Sequence, residues 1–260
     1  MSAGEGVRWL LEGFRVLRAA PLQLVMLHLV LLFAIAFTLS VPAGFAVFWL
    51  LTPAFMIGPH AAVRAAGSGT RPEFALMLAG FRGEFAALLR LGAVYLAALF
   101  VALGATALAD DGRLFRAMVG IERLRLEDLF QPELHRALLV WALLETTVLS
   151  ILWYAPLLVA WHGVPAIKAV FFSTAAIVLN WRALLAFGAA LTLALLLVSL
   201  LALGAASLVA GSEAARISTA AFAATWIFLP ILFAASWRSY EAIFGAALAR
   251  ERGDTGTEAD

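Results

Sequence analysis

No cysteine occurs in the chain, which excludes disulfides, thiolate nucleophiles and cysteine-ligated metals. Charge is nearly as scarce. Acidic and basic residues make up 13% of the 260 residues, roughly half the share of an ordinary soluble domain. Lys168 is the one lysine beside 17 arginines, and the formal net charge is +1. That balance excludes the clustered basic surface by which proteins capture nucleic acid. The histidines His28, His60, His135 and His162 are scattered and show no H-E-x-x-H spacing. P-loop, G-x-G-x-x-G and G-x-S-x-G motifs are missing as well. Nothing here points to a catalytic residue, a metal ligand set or a cofactor.

What the chain has in excess is apolar residues, 64% of the total, with a mean hydropathy of +0.97. A soluble globule of this length would need a charged surface that these residues cannot supply, so most of the surface must face lipid. A helix of ~20 apolar residues crosses the ~30 Å hydrocarbon layer and satisfies its own backbone groups there. The expected fold is therefore all-α: a polytopic transmembrane helical bundle in residues 1–250, one domain with about six spans. The spans are expected at about 22–41, 45–63, 88–109, 137–160, 183–207 and 217–237. The uncharged run Leu22 to Val41 exceeds the about 7–15 residues of a signal-peptide core, so it is expected to remain as the first span. Residues 110–136 form an extramembrane loop of mixed charge, most simply a solvated face. In it Arg123 and Glu127 have helical i,i+4 spacing, and Gln131-Pro132 ends the helix. Residues 251–260 form a polar, disordered tail.

Three short helices, at about 7–19, 73–85 and 165–180, are expected to lie at the cytoplasmic interface. In the first, Val7, Leu10, Leu11, Phe14 and Leu17 share one face, with Arg8, Glu12, Arg15 and Arg18 on the other. Thr70 and Glu73 have capping-box spacing at the start of the second. Trp9, Trp161, Trp181 and Trp237 match an aromatic belt. Each odd span follows one of these helices, and each even span carries a proline in its inner half: Pro53, Pro156 and Pro230. The pattern suggests a three-fold repeat of helix, span, span. Six spans put both termini on one side of the membrane. That side receives 12 basic residues and the other 6, so the positive-inside rule places both termini in the cytoplasm.

Two residues are candidates for intramembrane chemistry. Glu145 lies about eight residues, roughly 12 Å at helical rise, inside the fourth span, with Thr146, Thr147 and Ser150 at hand. His28 lies in the first span and is its candidate partner. A carboxylate there is costly and is a functional candidate by default; the plainer reading is a protonated, hydrogen-bonded side chain. His60, His162, Lys168, Asn180 and Tyr240 form a candidate polar cluster at the cytoplasmic face. They read most simply as caps and interface anchors, with a polar pocket between helices as the sharper alternative.

The runs APLLVAWHGVPAIKAVFFSTAAIVLNWRALLAFG and FLPILFAASWRSYEAIFG, with EGFRVLRAAP near the N-terminus and LAGFR in the middle, resemble a family of bacterial inner-membrane proteins that has no assigned function. The resemblance spans most of the chain and implies six spans and an inner-membrane location. The family's C-terminal signature resembles Y-R-D-I-F. Here Tyr240-Glu241-Ala242-Ile243-Phe244 lacks its basic and acidic pair, so no role of that pair carries over. The expected function is non-enzymatic, through helix packing, membrane lipids, and a membrane-protein partner or a second copy, in envelope or membrane-complex assembly. A small-molecule or ion transporter with Glu145 and His28 in its path is the second expectation. A lipid-modifying enzyme using His162 and Lys168 ranks last.

Overall fold

The computed structural model describes residues 1–41, 43–125, 128, 130–209 and 211–251. The expected Arg123–Glu127 pair and the tail beyond Glu251 rest on residues outside that set. The helices are α1 (Ala3–Ala19), α2 (Pro21–Ser40), α3 (Gly44–Gly67), α4 (Phe85–Ala105), α5 (Ala107–Asp110) and α6 (Arg113–Met118). They continue as α7 (Pro132–Ile151), α8 (Ala155–His162), α9 (Ala166–Leu179), α10 (Trp181–Val209) and α11 (Glu213–Glu251). No strand occurs among the described residues. Six helical stretches are long and apolar enough to cross a membrane: Pro21–Ser40, Gly44–Gly67, Phe85–Asp110, Pro132–His162, Trp181–Leu208 and Ala215–Gly245. They stand where long uncharged runs demand them, since lipid offers the backbone no other hydrogen-bond partner.

The chain folds into two compact units. The first comprises Met1–Val30, Pro59–Met77 and the chain from Val178; the second comprises Leu31–Gly58 and Leu78–Ile177.

In the first unit α1 packs on both α10 and α11. Its buried seam is Gly6, Trp9, Leu10, Gly13 and Val16, a helical stripe of small residues between large ones. This stripe coincides only in part with the expected apolar face of α1. Of its apolar residues Leu10 turns inward, while Val7 and Leu11 are exposed. The tryptophans of the expected aromatic belt differ in setting. Trp9 is buried edge-on against Phe187 at 5.8 Å, and Trp237 is buried, whereas Trp181 is exposed. Further along, α10 and α11 meet through Ala202, Ala206, Ala220 and Ala224, small side chains that let the backbones approach.

In the second unit α4 packs against α7 and α8. The fourth span is not one straight helix: α7 ends at Ile151 and α8 starts at Ala155. The cause is Pro156, which has no N–H for the carbonyl of Leu152 four residues earlier. The buried Tyr95 hydroxyl of α4 donates to that carbonyl at 2.8 Å, and the N–H of Ala155 reaches it at 3.2 Å. The N–H of Tyr154, also freed by the break, donates to the buried Ser173 Oγ of α9 at 3.1 Å. Tyr95→Phe removes one of the two donors to Leu152 and leaves no cavity. It should lower stability by about 1 kcal/mol, measured as a reduced thermal midpoint of the purified protein in detergent. An unchanged midpoint would mean that Ala155 alone satisfies the carbonyl.

Three further local expectations change. The segment after Arg71 forms a 3₁₀ helix, Phe74–Phe81, and α4 starts separately at Phe85. Pro132 opens α7 instead of ending a helix, because proline at the first helical positions gives up an N–H that has no partner there anyway. The order of short helix, span, span does recur three times. The prolines, however, differ in setting: Pro53 and Pro230 lie inside helices, whereas Pro156 starts one after a break.

Candidate functional site

The docking of α1 on α11 positions the charged end of the first unit. Glu12 projects from α1 one residue before the buried Gly13 and accepts a hydrogen bond from Arg238 Nε at 2.8 Å. Arg238 Nη1 donates to Glu241 at 2.5 Å, one turn later on α11. One guanidinium is thus held in a fork between two carboxylates. Beside it, the Arg64 guanidinium lies over the Trp237 ring, 5.6 Å from its centroid, a cation–π contact. Two clefts flank this network. One, of about 390 Å³, is lined by Arg15, Arg64, Ser68 and Trp237 together with Glu12, Arg238 and Glu241. The other, also about 390 Å³, has Glu5, Arg8 and Trp9 on its far wall.

Two residues before Arg238 on α11 lies a buried polar group. Ser236 Oγ and His60 Nε2 are 3.2 Å apart, and the Ser239 hydroxyl donates to the Ser236 carbonyl at 2.7 Å. The Phe233 ring packs against His60 at 4.9 Å and against His28 at 5.2 Å between centroids. His28 Nδ1 lies 2.7 Å from the Leu24 carbonyl, an acceptor only, so the ring proton belongs on Nδ1. His28 Nε2 then presents a lone pair, and it has no hydrogen-bond partner in a residue only 1% exposed.

The remaining expected residues divide between the units. Asn180 and Tyr240 belong to the first with His60 and His28; His162, Lys168 and Glu145 belong to the second. Asn180 Oδ1 accepts from the Met1 amino group at 3.2 Å. Tyr240 is buried and stacks on Trp237 at 5.8 Å. His162 closes α8 beside Gly163, whose φ of 61° suits glycine at a helix end, and Lys168 is exposed on α9. Glu145 is half-buried on α7, one turn after the buried Trp141. Of its expected donors, Thr147 donates instead to the Leu143 carbonyl at 2.8 Å. Inspection of the sequence missed the network of Glu12, Arg238 and Glu241. Its Arg238–Glu241 half has readable i,i+3 spacing; the Glu12 half joins residues 226 apart.

The polar loop of the second unit is structural in character. Buried Asp110 accepts from the N–H groups of Gly112 at 3.0 Å and Leu114 at 2.7 Å, fixing the start of α6. Arg116–Glu122 at 2.9 Å and Arg113–Asp128 at 3.5 Å tie the loop to itself. Among the described residues no group of three or more His, Asp or Glu side chains is placed to hold a metal.

Six apolar helices long enough to span and no strand among the described residues define a polytopic α-helical membrane protein. The chain is 35% identical over 189 residues to a probable inner membrane protein of Burkholderia thailandensis, a match covering 70% of this chain and 69% of that one. It belongs to that protein's family. No family model matches the chain. No solved structure matches it.

Proposed function

We propose that this protein is non-enzymatic and acts in the inner membrane through lipid and helix contacts, as a packing element in envelope or membrane-complex assembly, with both termini in the cytoplasm. The observation that carries this reading is α10. Over an 18-residue stretch of that span only 11% of residues are buried within the protein, against 50% over such a stretch of Gly44–Gly67, and Leu193, Leu196, Leu197, Leu200 and Leu201 are exposed along it. Beyond its contacts with α1 and α11, most of the surface of α10 is left to what surrounds the protein. Several polar groups, by contrast, are engaged internally: His60 with Ser236, Asn180 with the Met1 amino group, and Glu12 with Arg238.

A transporter is the second reading, supported by the bare Nε2 of His28 on the same ring, Phe233, that meets His60. Reconstitution of the full chain in vesicles enclosing a pH-sensitive dye separates the two. Proton flux under an imposed potential is expected to equal that of empty vesicles. Flux above that level, reduced by His28→Gln or Glu145→Gln, would overturn the packing reading in favour of transport.

A further inference from the structure

We propose that the cleft beside Trp237 binds the phosphodiester headgroup of an anionic phospholipid. The inference rests on the lipid-contact reading above and adds to it a defined site and a charge. Arg15, Arg64 and Arg238 all line this cleft, with the Ser68 hydroxyl at its edge. Two carboxylates, Glu12 and Glu241, line it as well. The balance is one positive charge, the complement of one phosphodiester. The carboxylates are committed: Glu12 binds Arg238 Nε and Glu241 binds Arg238 Nη1. They fix the guanidinium while its Nη2 hydrogens stay available to donate to a phosphate oxygen. Arg15 is exposed and makes no ion pair among the described residues. Arg64 rests on a buried indole, so part of the ordering its side chain would undergo on binding is already done.

The chain order places these groups where headgroups lie. Arg15 precedes Pro21, the first residue of a span, by less than two turns. Arg64 is in the last turn of Gly44–Gly67, and Arg238 lies within the last two turns of Ala215–Gly245. Arginines from three span ends therefore converge on one cleft, and basic pockets between spans on the cytoplasmic side are suited to anionic headgroups. The volume of about 390 Å³ admits a headgroup with its glycerol. Val16, Ala19 and Trp237 supply apolar wall for the carbons beyond it.

The test reconstitutes the full chain in phosphatidylcholine vesicles with and without phosphatidylglycerol, extracts it in mild detergent, and identifies retained lipid by native mass spectrometry. Wild type is expected to retain phosphatidylglycerol over phosphatidylcholine. Arg15→Gln with Arg64→Gln should weaken that preference about tenfold or more, since charge-assisted contacts are lost. Arg15→Lys with Arg64→Lys should keep part of it, and thermal melts of each variant report folding separately. Glycerol 3-phosphate in excess should leave the lipid bound. Equal retention by wild type and the glutamine variant would overturn the proposal, as would a wild type without preference. Displacement by inorganic phosphate or glycerol 3-phosphate would overturn the lipid assignment and make the cleft a free-phosphate site. None of these outcomes bears on the packing reading, which the flux measurement decides.

Discussion

Gly92→Ala is expected to be among the most destabilising single substitutions in this protein, although it adds one methyl group. An ideal Cβ on Gly92 in α4 would overlap the Leu50 carbonyl oxygen of α3 and lie about 2.7 Å from its carbon. Both are backbone atoms, so no side-chain rotation relieves the clash. One turn further along α3, a Cβ on Gly80 would overlap the Ala54 carbonyl oxygen in the same way. The two glycines thus set the distance at which α4 and the preceding 3₁₀ segment approach α3, through contacts that van der Waals packing alone rewards in lipid. Forcing the elements apart should lower stability by about 3 kcal/mol, the upper end of overpacking costs. That corresponds to a fall in thermal midpoint of roughly 6–12 °C for a chain of this size.

Gly104→Ala provides the internal control. It lies on the same helix, yet its Cβ would meet nothing within 4 Å. Alanine there should be neutral or stabilising by up to ~1 kcal/mol, because glycine is the poorer helix former. Measured side by side, the midpoint of Gly92→Ala should fall while that of Gly104→Ala holds or rises. Equal behaviour would mean that the close approach of α3 and α4 is not what holds the second unit.

The same contrast shows how much of the molecule was legible in the sequence. Spans were legible because lipid leaves a long apolar run one conformation: the run expected at about 22–41 forms Pro21–Ser40. Which side of each helix turns inward was not, because lipid-facing and core-facing residues are chemically alike. In α2, Leu24, Leu27 and Leu31 are buried while Leu22, Phe33 and Phe37 are exposed, and no alternation of polarity marks the difference. Where water replaces lipid the periodicity of α1 was plain, but it did not mark the seam. The seam is built on Gly6 and Gly13, which carry no hydrophobic signal at all. For the candidate site, the polar residues could be named only singly: His28, His60 and Tyr240 fall in the first unit, and His162 and Lys168 in the second. Their partners could not be named, since Phe233 and Ser236 look like any other residues of a span. Pro132 and Pro156 show a further limit. Proline marks a boundary in sequence, but whether a helix begins or ends there is decided by which N–H groups already lack partners.

Gly13→Leu should release α1 from the fold. An ideal Cβ on Gly13 would stand 2.7 Å from the backbone nitrogen of Ala235 and 2.9 Å from its Cα, so a leucine has nowhere to go unless the helices part. Gly6 makes the corresponding approach to α10, where a Cβ would overlap the Ala183 carbonyl oxygen. Because Glu12 is the neighbour of Gly13, separation also draws its carboxylate away from Arg238, leaving a half-buried guanidinium with Glu241 alone. The absence of cysteine makes the consequence measurable. A single Val16→Cys thiol, buried in the α1 seam, should react slowly with a maleimide in the otherwise intact protein. Gly13→Leu should speed that reaction about 10- to 100-fold, the opening expected from roughly 1–3 kcal/mol of overpacking. Gly4→Ala, whose Cβ would meet only the Ser2 hydroxyl at 3.9 Å, should leave the rate unchanged. A protected thiol in the Gly13→Leu protein would show that α1 tolerates a large side chain at its seam. The cleft that α1, α3 and α11 build together would then not depend on the glycine contact.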